Sequence, residues 1–169
     1  TVDAGYFEQS KQMAAEENAL VFVGSYGIES NKDAVRWFAR AVWPELKQRF
    51  PELKFYVVGR EATQDILELG KRDSRIIVTG EVADVRPYLG KARVFLCPAR
   101  MGSGLRPKVL EAMAAGAPVV STSLGAEGIP TWSGESLLIA DTASQFKRNV
   151  SLLLTDAGLR KKLAESAMN

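Results

Sequence analysis

The stretch "VFLCPARMGSGLRPKVLEAMAAGAPVVS", residues 94–121, contains the strand, turn, helix and strand that decide the fold. An apolar run at 94–97 leads through a glycine-rich turn into a helical pattern at 105–116, and a second apolar run rich in valine follows. This order predicts a βαβ unit with parallel strands and a right-handed crossover. The turn also carries glycines and charged residues, so it is the first candidate for a ligand site.

Three further apolar runs have the same form as the two in this stretch. They are "NALVFVGS" at 18–25, "LKFYVVGR" at 53–60 and "SRIIVTGE" at 74–81. All of these runs are apolar almost throughout, which is typical of strands covered on both faces. Helical patterns alternate with them, so the sequence predicts an α/β fold with a doubly wound parallel sheet between two helical layers. Ligands of such sheets bind at the carboxyl ends of the strands, where the strand order reverses.

The clearest helical pattern runs from residue 32 to residue 49. Its apolar positions follow one stripe of a helix: Ala34, Trp37, Phe38, Ala41, Val42 and Leu46. Either Asn31 or Asp33 is expected to cap this helix, because short polar side chains accept hydrogen bonds from the first free N–H groups. Asp84 and Asp156 are predicted to cap two later helices in the same way.

The composition is that of one globular domain with a core of its own. The chain has 169 residues, of which 46% are hydrophobic and 25% are charged. The 22 lysines and arginines nearly balance the 20 aspartates and glutamates, which argues against a nucleic-acid partner or a membrane-binding patch. No apolar stretch approaches the roughly twenty residues of a membrane span, and no signal-peptide pattern occurs at the start. The chain is therefore expected to be soluble.

The cysteine and histidine contents bear on compartment and chemistry. The single cysteine, Cys97, lies in an apolar run and is predicted to be buried and unable to form an internal disulfide. This favours a reducing compartment, so we expect a cytoplasmic location. The chain contains no histidine, the usual general base near neutral pH. If the protein is an enzyme, some of its catalytic machinery is expected to lie outside this chain.

The turn at residues 102–106 suits a phosphate. Glycines let the backbone approach a ligand closely, and the following helix presents free N–H groups and the positive end of its dipole. Arg106 and Lys108 add two positive charges at the start of that helix. Glu111 lies three residues after Lys108 on the same helical face, where it can accept hydrogen bonds from sugar hydroxyls beside the phosphate. Phosphate followed by hydroxyls indicates a nucleotide or a nucleotide sugar.

Spacing alone leaves a structural alternative open. Lys108 and Glu111 are also placed for a surface ion pair, with the glycines shaping a tight turn and nothing more. Two other phosphate motifs are excluded. The pattern G-x-G-x-x-G would require glycine where this chain has Pro107, and G-x-x-x-x-G-K-[ST] does not occur.

Four longer blocks resemble one known family. They are "FVGSYGIESNKDAVRWF" at 22–38, "WPELKQRFPELKFYVVGR" at 43–60, "VTGEVADVRPYLGKARVFLCPA" at 78–99 and "GSGLRPKVLEAMAAGAPVVSTSLGAEGI" at 102–129. In this order they are similar to the C-terminal, donor-binding domain of GT-B glycosyltransferases of glycosyltransferase family 4. Within it, the chain most resembles bacterial group 1 sugar transferases of exopolysaccharide clusters.

The resemblance implies one Rossmann-like half of a two-domain enzyme. Residues 1–18, with "VDAGYF" near their start, correspond to the connection from an N-terminal acceptor-binding domain, and residues 19–169 to the domain that binds the nucleotide sugar. The implied reaction transfers a sugar from a nucleotide diphosphate sugar to an acceptor, with retention of anomeric configuration and no metal or other cofactor. The chain by itself is expected to be inactive, and any membrane association would come through the N-terminal domain. A nucleotide-sugar epimerase or a non-catalytic nucleotide-binding module on the same architecture is the alternative.

The resemblance also implies roles for individual residues. Glu111 matches the second glutamate of the family's E-x7-E motif, which binds ribose, while Ser103 stands where the first glutamate is expected. Gly24 matches the glycine after the first strand that lets the diphosphate approach, and Ser25 replaces the arginine that usually follows it. We assign the diphosphate to Arg106 and Lys108 and expect the Arg106→Ala change to cost more affinity than Lys108→Ala. Lys32, a loose match to a family lysine, is the alternative cation.

The remaining candidate residues line the same cleft. Arg60 follows the second strand at the cleft mouth, and the alternative interpretation is a solvated arginine at the start of a helix. Backbone groups near Val82 are expected to receive the base. Four loop residues complete the predicted site: Gly102, Ser103, Gly104 and Leu105. The catalytic residues stay unassigned, since the active-site histidine of similar enzymes belongs to their N-terminal domain.

Overall fold

The computed structural model describes residues 2–130 and 134–167. Over these residues the strands form one six-stranded sheet, and all of the pairings are parallel. The strands are β1 (Ala19–Val23), β2 (Lys54–Val58), β3 (Ile76–Gly80), β4 (Val94–Cys97), β5 (Val119–Ser121) and β6 (Leu138–Ile139). The first five coincide with the five predicted apolar runs. The short edge strand β6 was not predicted.

Helices cover both faces of this sheet. They are α1 (Ala4–Glu8), α2 (Ser10–Met13), α3 (Glu29–Ala41), α4 (Trp43–Arg49), α5 (Gln64–Arg72), α6 (Arg86–Lys91), α7 (Pro107–Ala114), α8 (Ala143–Thr155) and α9 (Ala157–Ala167). The predicted fold, a Rossmann-like sheet between two helical layers, is confirmed. None of the helices in the described part of the chain is long and apolar enough to cross a membrane.

Alternate side chains of each strand enter one of two apolar cores. On one face, Phe22 and Phe55 pack with Phe38 of α3 and with residues of α8. On the other face, Phe95 of β4 packs with Val109 of α7. Because both faces are covered, the strands are apolar almost throughout rather than alternating. Cys97 is buried in the second core as predicted, and burial raises the pKa of its thiol.

The strand order places the reversal point between β1 and β4. The order across the sheet is β3-β2-β1-β4-β5-β6, so the chain first runs outward from β1 in one direction and then returns to β4 on its other side. Leu20 and Val21 pair with Val94 and Phe95 at this junction. The turns that follow β1 and β4 therefore leave the sheet side by side, at the edge where doubly wound folds bind their ligands.

The predicted helix over residues 32–49 is two helices, α3 and α4, separated at Val42. Ile28 precedes α3, and no side chain caps its N-terminus, so the cap predicted at Asn31 or Asp33 is wrong. Both residues lie inside the helix because it begins earlier, at Glu29. Their side chains bind partners across the molecule instead of the helix's own N–H groups.

The two later aspartates act close to their predicted positions. Val85, rather than Asp84, is the residue that precedes α6, but Asp84 still accepts a hydrogen bond from the N–H of Arg86 at 2.9 Å. The Oδ1 atom of Asp156 accepts from the N–H of Leu159 in the first turn of α9, also at 2.9 Å. The capping role predicted for Asp156 is therefore confirmed, and that of Asp84 is displaced by one residue.

The segment before β1 packs on the rest of the domain. Helix α1 contacts α7 and α2 contacts α6, with Phe7 buried in the second core. A Cβ atom at Gly90 would lie 2.0 Å from the carbonyl oxygen of Ser10, so α2 and α6 can meet this closely because residue 90 is glycine. The interpretation of residues 1–18 as an interdomain connection stays a prediction.

Candidate functional site

The turn after β1 is tied to the end of β2 through the backbone. The N–H of Gly24 donates to the carbonyl oxygen of Val58 at 3.0 Å, and that of Tyr26 donates to Arg60 at 3.0 Å. The buried hydroxyl of Tyr26 donates to Val58 at 2.9 Å. At Gly59, where φ is 137°, a Cβ atom would lie 1.7 Å from the Gly24 oxygen. A glycine is therefore required at position 59 to bring the two strand ends together.

Lys108, in the first turn of α7, reaches across to this turn. Its Nζ donates to Oδ1 of Asn31 at 2.7 Å and lies 4.6 Å from the centroid of the Phe22 ring. A Cβ atom built on Gly24 would lie 3.1 Å from the same Nζ. The ammonium thus sits over the carboxyl end of β1, and the structure brings Lys108 and Gly24 together as the sequence predicted.

The electrostatic surroundings of Lys108 are unfavourable for a lone charge. Burial has the largest effect and lowers the pKa of the ammonium below the ordinary lysine value. Arg106 lowers that pKa further, while Cys97 and Glu111 oppose the shift. An ammonium group has three donors, and within the described ranges one of them is used, by Asn31. Two N–H groups and a poorly solvated positive charge are available to an anion.

Arg106 has a different environment, although it is two residues away. Its guanidinium donates to the carbonyl oxygens of Met101, Gly104 and Leu124, at 3.1, 3.3 and 2.5 Å. A turn with positive φ at Gly102 (92°) and Gly104 (88°) brings the Met101 and Gly104 carbonyls around it, whereas Leu124 lies in the segment after β5. The guanidinium therefore holds the loop in shape. The expected ranking of Arg106 over Lys108 as a ligand cation stays a prediction, and these contacts favour Lys108 instead.

Glu111 lies one turn along α7 from Lys108. Its half-buried carboxylate accepts no hydrogen bond from the residues described, and no ion pair joins it to Lys108 within 4.0 Å. Burial raises the pKa of the carboxyl, and the charge of Lys108 partly offsets this effect. The alternative interpretation of the two residues as a surface ion pair is thus wrong. Glu111 has acceptors free for a ligand.

The rim beside β1 and β2 holds the other predicted polar residues. The hydroxyl of Ser25 donates to Oε2 of Glu61 at 2.8 Å, so its side chain is already engaged. Lys32 forms an ion pair with Glu29 at 3.1 Å on α3. The guanidinium of Arg60 is exposed and forms no hydrogen bond within the described part of the molecule. Arg60 is therefore free to contact a ligand, whereas Ser25 and Lys32 have protein partners.

The loop after β4 is open to solvent. It contains the four exposed residues that were predicted to line the site: Gly102, Ser103, Gly104 and Leu105. Val82 follows β3 and packs, half-buried, against the second core. Over residues 2–130 and 134–167, no group of three or more His, Cys, Asp or Glu side chains is arranged to hold a metal ion. The predicted independence of metals stays a prediction.

Two features of the site were not predicted from the sequence. Asn31 bridges the turn after β1 to Lys108 across 77 residues of chain. Arg100 makes a two-pronged contact with Asp33 at 2.7 and 3.0 Å and lies 5.5 Å from the ring centroid of Trp37. One partner in each contact, Asn31 or Asp33, is a short polar residue that follows β1 in the sequence. These two residues were the sequence signal, but they indicated helix caps equally well.

Residues 17–156 match the family model described as "Glycosyl transferases group 1". The chain belongs to this family. Among curated proteins, it is 28% identical over 173 residues to the lipopolysaccharide core biosynthesis mannosyltransferase LpsB of Rhizobium meliloti. The match covers 95% of this chain and 48% of LpsB. The chain spans 40% to 48% of the length of the curated relatives it matches.

Solved structures of group 1 and other glycosyltransferases share the fold. The C-terminal domain of a glycosyl transferase group 1 family protein, LpcC of Francisella tularensis, superposes with a TM-score of 0.79 at 22% identity, covering 99% of this chain and 95% of that one. Anabaena HepE, solved in complex with UDP and glucose, gives a TM-score of 0.75 at 14% identity, covering 99% and 47%. These likenesses confirm the predicted fold, that of a GT-B C-terminal domain.

Proposed function

We propose that this chain is the donor-binding half of a retaining glycosyltransferase that uses a nucleotide diphosphate sugar. The acceptor would be a growing polysaccharide or glycoconjugate, bound by an N-terminal domain that precedes this one in the whole protein. The reaction needs no metal or other cofactor in this proposal, and it takes place in the cytoplasm. Without the second wall of the cleft, residues 1–169 bind the donor and do not transfer the sugar.

The position of Lys108 is the observation that carries this proposal. Its partly buried ammonium lies over the end of β1 at the reversal point of the sheet, and Asn31 satisfies one of its three donors. A positive charge that is deprived of water and keeps donors free is stabilised by an anion. No side chain of the described residues caps α7, so the first turn of this helix adds its dipole at the same place.

The expected ligand order follows from the positions of Gly24, Lys108 and Glu111. The diphosphate lies against the backbone of Gly24 and accepts hydrogen bonds from Lys108, while Glu111 accepts from the ribose hydroxyls one helical turn away. As the bond to the sugar breaks, negative charge grows on the leaving diphosphate, and a fixed cation in a poorly hydrated site stabilises that charge. Lys108 therefore contributes both to binding and to departure of the leaving group.

The remaining candidate residues surround the proposed positions of the diphosphate and the ribose. The loop of Gly102, Ser103, Gly104 and Leu105 faces the donor sugar, and backbone groups near Val82 receive the base. Arg60 approaches from the mouth of the cleft. Arg106 shapes the loop and does not bind phosphate directly in this proposal.

The relatives support the class of reaction. LpsB is described as a mannosyltransferase of lipopolysaccharide core biosynthesis, and HepE was solved with UDP and glucose. Sugar transfer from a nucleotide donor is the activity that fits both the family and the cation site. The epimerase and binding-module alternatives gain no specific support from these residues.

The test is calorimetric titration of the chain with UDP, GDP and ADP and with the corresponding nucleosides. We expect a nucleoside diphosphate to bind more tightly than its nucleoside. Glu111→Gln should weaken the diphosphate and the nucleoside alike, by roughly tenfold, because a charged acceptor for two hydroxyls becomes neutral. Glu52→Gln, an exposed change just before β2, is the matched control and should bind like the parent.

Three results would count against the proposal. Absence of binding by all three diphosphates would remove the donor site. Unchanged affinities in Glu111→Gln would remove the ribose assignment. Interconversion of nucleotide sugars by the chain alone would favour the epimerase.

A further inference from the structure

We propose that Asn31 is the positioning residue that holds Lys108 over the diphosphate site, so that the turn after β1 and the first turn of α7 act as one unit. The inference rests on the proposed function, because it assigns Lys108 to the diphosphate. It adds a residue whose sequence position had indicated a helix cap, and whose side chain acts on the ligand through another side chain.

The carboxamide of Asn31 is held at both ends. Its Nδ2 donates to the carbonyl oxygen of Ser25 at 2.9 Å, and its Oδ1 accepts from Nζ of Lys108 at 2.7 Å. The first bond fixes the amide nitrogen on the turn after β1, so the amide oxygen necessarily faces the ammonium. Asn31 therefore fixes the direction from which Lys108 approaches that turn.

Space at Gly24 is consistent with this arrangement. A Cβ atom at residue 24 would lie 3.0 Å from both Cγ and Nδ2 of Asn31, and 3.1 Å from Nζ of Lys108. Both side chains thus pack directly on the glycine backbone. The ammonium is confined between this backbone, the Phe22 ring and the Asn31 oxygen.

A lysine side chain has a flexible stem of four carbons and takes many conformations when its ammonium group is not held. The charged and titratable groups around Lys108 are the Cys97 thiol, Arg106 and Glu111. None of these accepts a hydrogen bond from Nζ in the described ranges, so Asn31 is the group that orders the ammonium before a ligand arrives. Ordering of a binding group in advance improves affinity by reducing the entropy lost on binding.

The first test compares Asn31→Ala with the parent in titrations with UDP, GDP, uridine and guanosine. We expect about a tenfold loss of affinity for whichever diphosphate binds the parent, and no change for its nucleoside, because the nucleoside offers nothing to Lys108. Asn149→Ala is the matched control. Asn149 lies on α8, outside the cleft, and its side chain also donates to a backbone carbonyl, that of Ile139 at 3.0 Å.

A double variant separates a positioning role from general stabilisation. If Asn31 acts through Lys108, Asn31→Ala/Lys108→Ala binds the diphosphate no more weakly than Lys108→Ala alone. Equal losses for diphosphate and nucleoside in Asn31→Ala would show a merely structural role and overturn the inference. Parent-like binding of the diphosphate by Asn31→Ala would overturn it as well.

A second measurement needs no ligand. Nuclear magnetic resonance titration of labelled lysine side chains, with the Lys108 signal assigned by its loss in Lys108→Met, reports the pKa of this ammonium. Removal of the Asn31 oxygen leaves the charged form with one acceptor fewer, so the pKa of Lys108 falls further in Asn31→Ala. An unchanged pKa overturns the pairing. If no nucleotide binds the parent, the proposed function fails, and this titration still decides whether Asn31 holds Lys108.

Discussion

The loop at 98–106 and the first helical turn at 107–111 adjoin in the chain and use positive charge in opposite ways. In the loop, Arg106 uses three of its five donors on backbone carbonyls, two in the loop and one at Leu124. In the helical turn, Lys108 binds one side chain and keeps donors free at the reversal point of the sheet. Two cations that look equivalent in the sequence are therefore a clamp of the loop and a candidate ligand contact.

The difference follows from the geometry of the two side chains. A guanidinium carries five N–H donors in a fixed fork, which suits several carbonyls of a tight turn at once. An ammonium is a compact charge with three donors on a flexible stem, which can reach 77 residues back in sequence to Asn31. Counting charges near a glycine-rich turn does not identify a ligand cation, because the donors must also be free.

Lys108→Met gives the largest expected effect on binding. Loss of the ammonium should weaken a nucleoside diphosphate by about a hundredfold or more, because charge-assisted hydrogen bonds to phosphate are lost from a partly buried site. The nucleoside should bind as before. Calorimetric titration of the variant with both ligands checks the prediction, and equal affinity of parent and variant for the diphosphate would make Lys108 a structural residue.

The same variant has an expected effect on stability with the opposite sign. Because the pKa of Lys108 is lowered in the folded state, the folded chain binds this proton less readily than the unfolded chain. The charge therefore costs stability at neutral pH. This cost begins to fall as pH rises through the lowered pKa of the folded chain, and it is gone once pH exceeds the ordinary lysine pKa of the unfolded chain. We expect Lys108→Met to leave the ligand-free melting temperature at pH 7 unchanged or higher. Diphosphate affinity of the parent should fall over the same rise in pH.

Arg106→Ala should have the opposite pattern of effects from Lys108→Met: it should lower stability and leave diphosphate affinity nearly unchanged. Loss of three hydrogen bonds in a partly exposed loop is expected to lower the free energy of unfolding by about 2 kcal/mol. Affinity for a nucleoside diphosphate, measured well below the melting temperature, should change by less than about threefold, since no contact to phosphate is lost. Denaturant unfolding and titration of one preparation give both values. A large loss of diphosphate affinity at unchanged stability would show instead that Arg106 binds the diphosphate.

Much of the fold could be predicted because buried strands appear in the sequence as apolar runs. The runs that became β1 to β4 are apolar almost throughout, as is typical of a parallel sheet covered on both faces. Strand β6 has two residues, Leu138 and Ile139, which is too short for any periodicity to appear. The division of the predicted long helix at Val42 was missed because apolar residues continue through it with helical spacing.

The candidate site was predicted as a place more successfully than as a set of contacts. The topology brings Gly24 and Lys108 together, and it leaves the acceptors of Glu111 free, as spacing and resemblance indicated. The partners of Asn31 and Arg106 could not be predicted, because each depends on which distant oxygen lies within reach after folding. Hydrogen bonds of this kind leave no periodic trace along the chain.

Lys32→Ala is expected to have the smallest effect, and it tests the cation that the wider family resemblance offers in place of Lys108. The Lys32 ammonium lies on α3 beside the exposed Glu29, at 3.1 Å, and such surface pairs contribute about 0–1 kcal/mol. Diphosphate affinity and melting temperature should both stay close to those of the parent, which titration and calorimetry can show. If Lys32→Ala abolished diphosphate binding while Lys108→Met bound like the parent, the phosphates would lie on the α3 side of the cleft. Arg106 in the loop and Lys108 in the helical turn would then both serve the architecture of the domain, and neither would bind the phosphates.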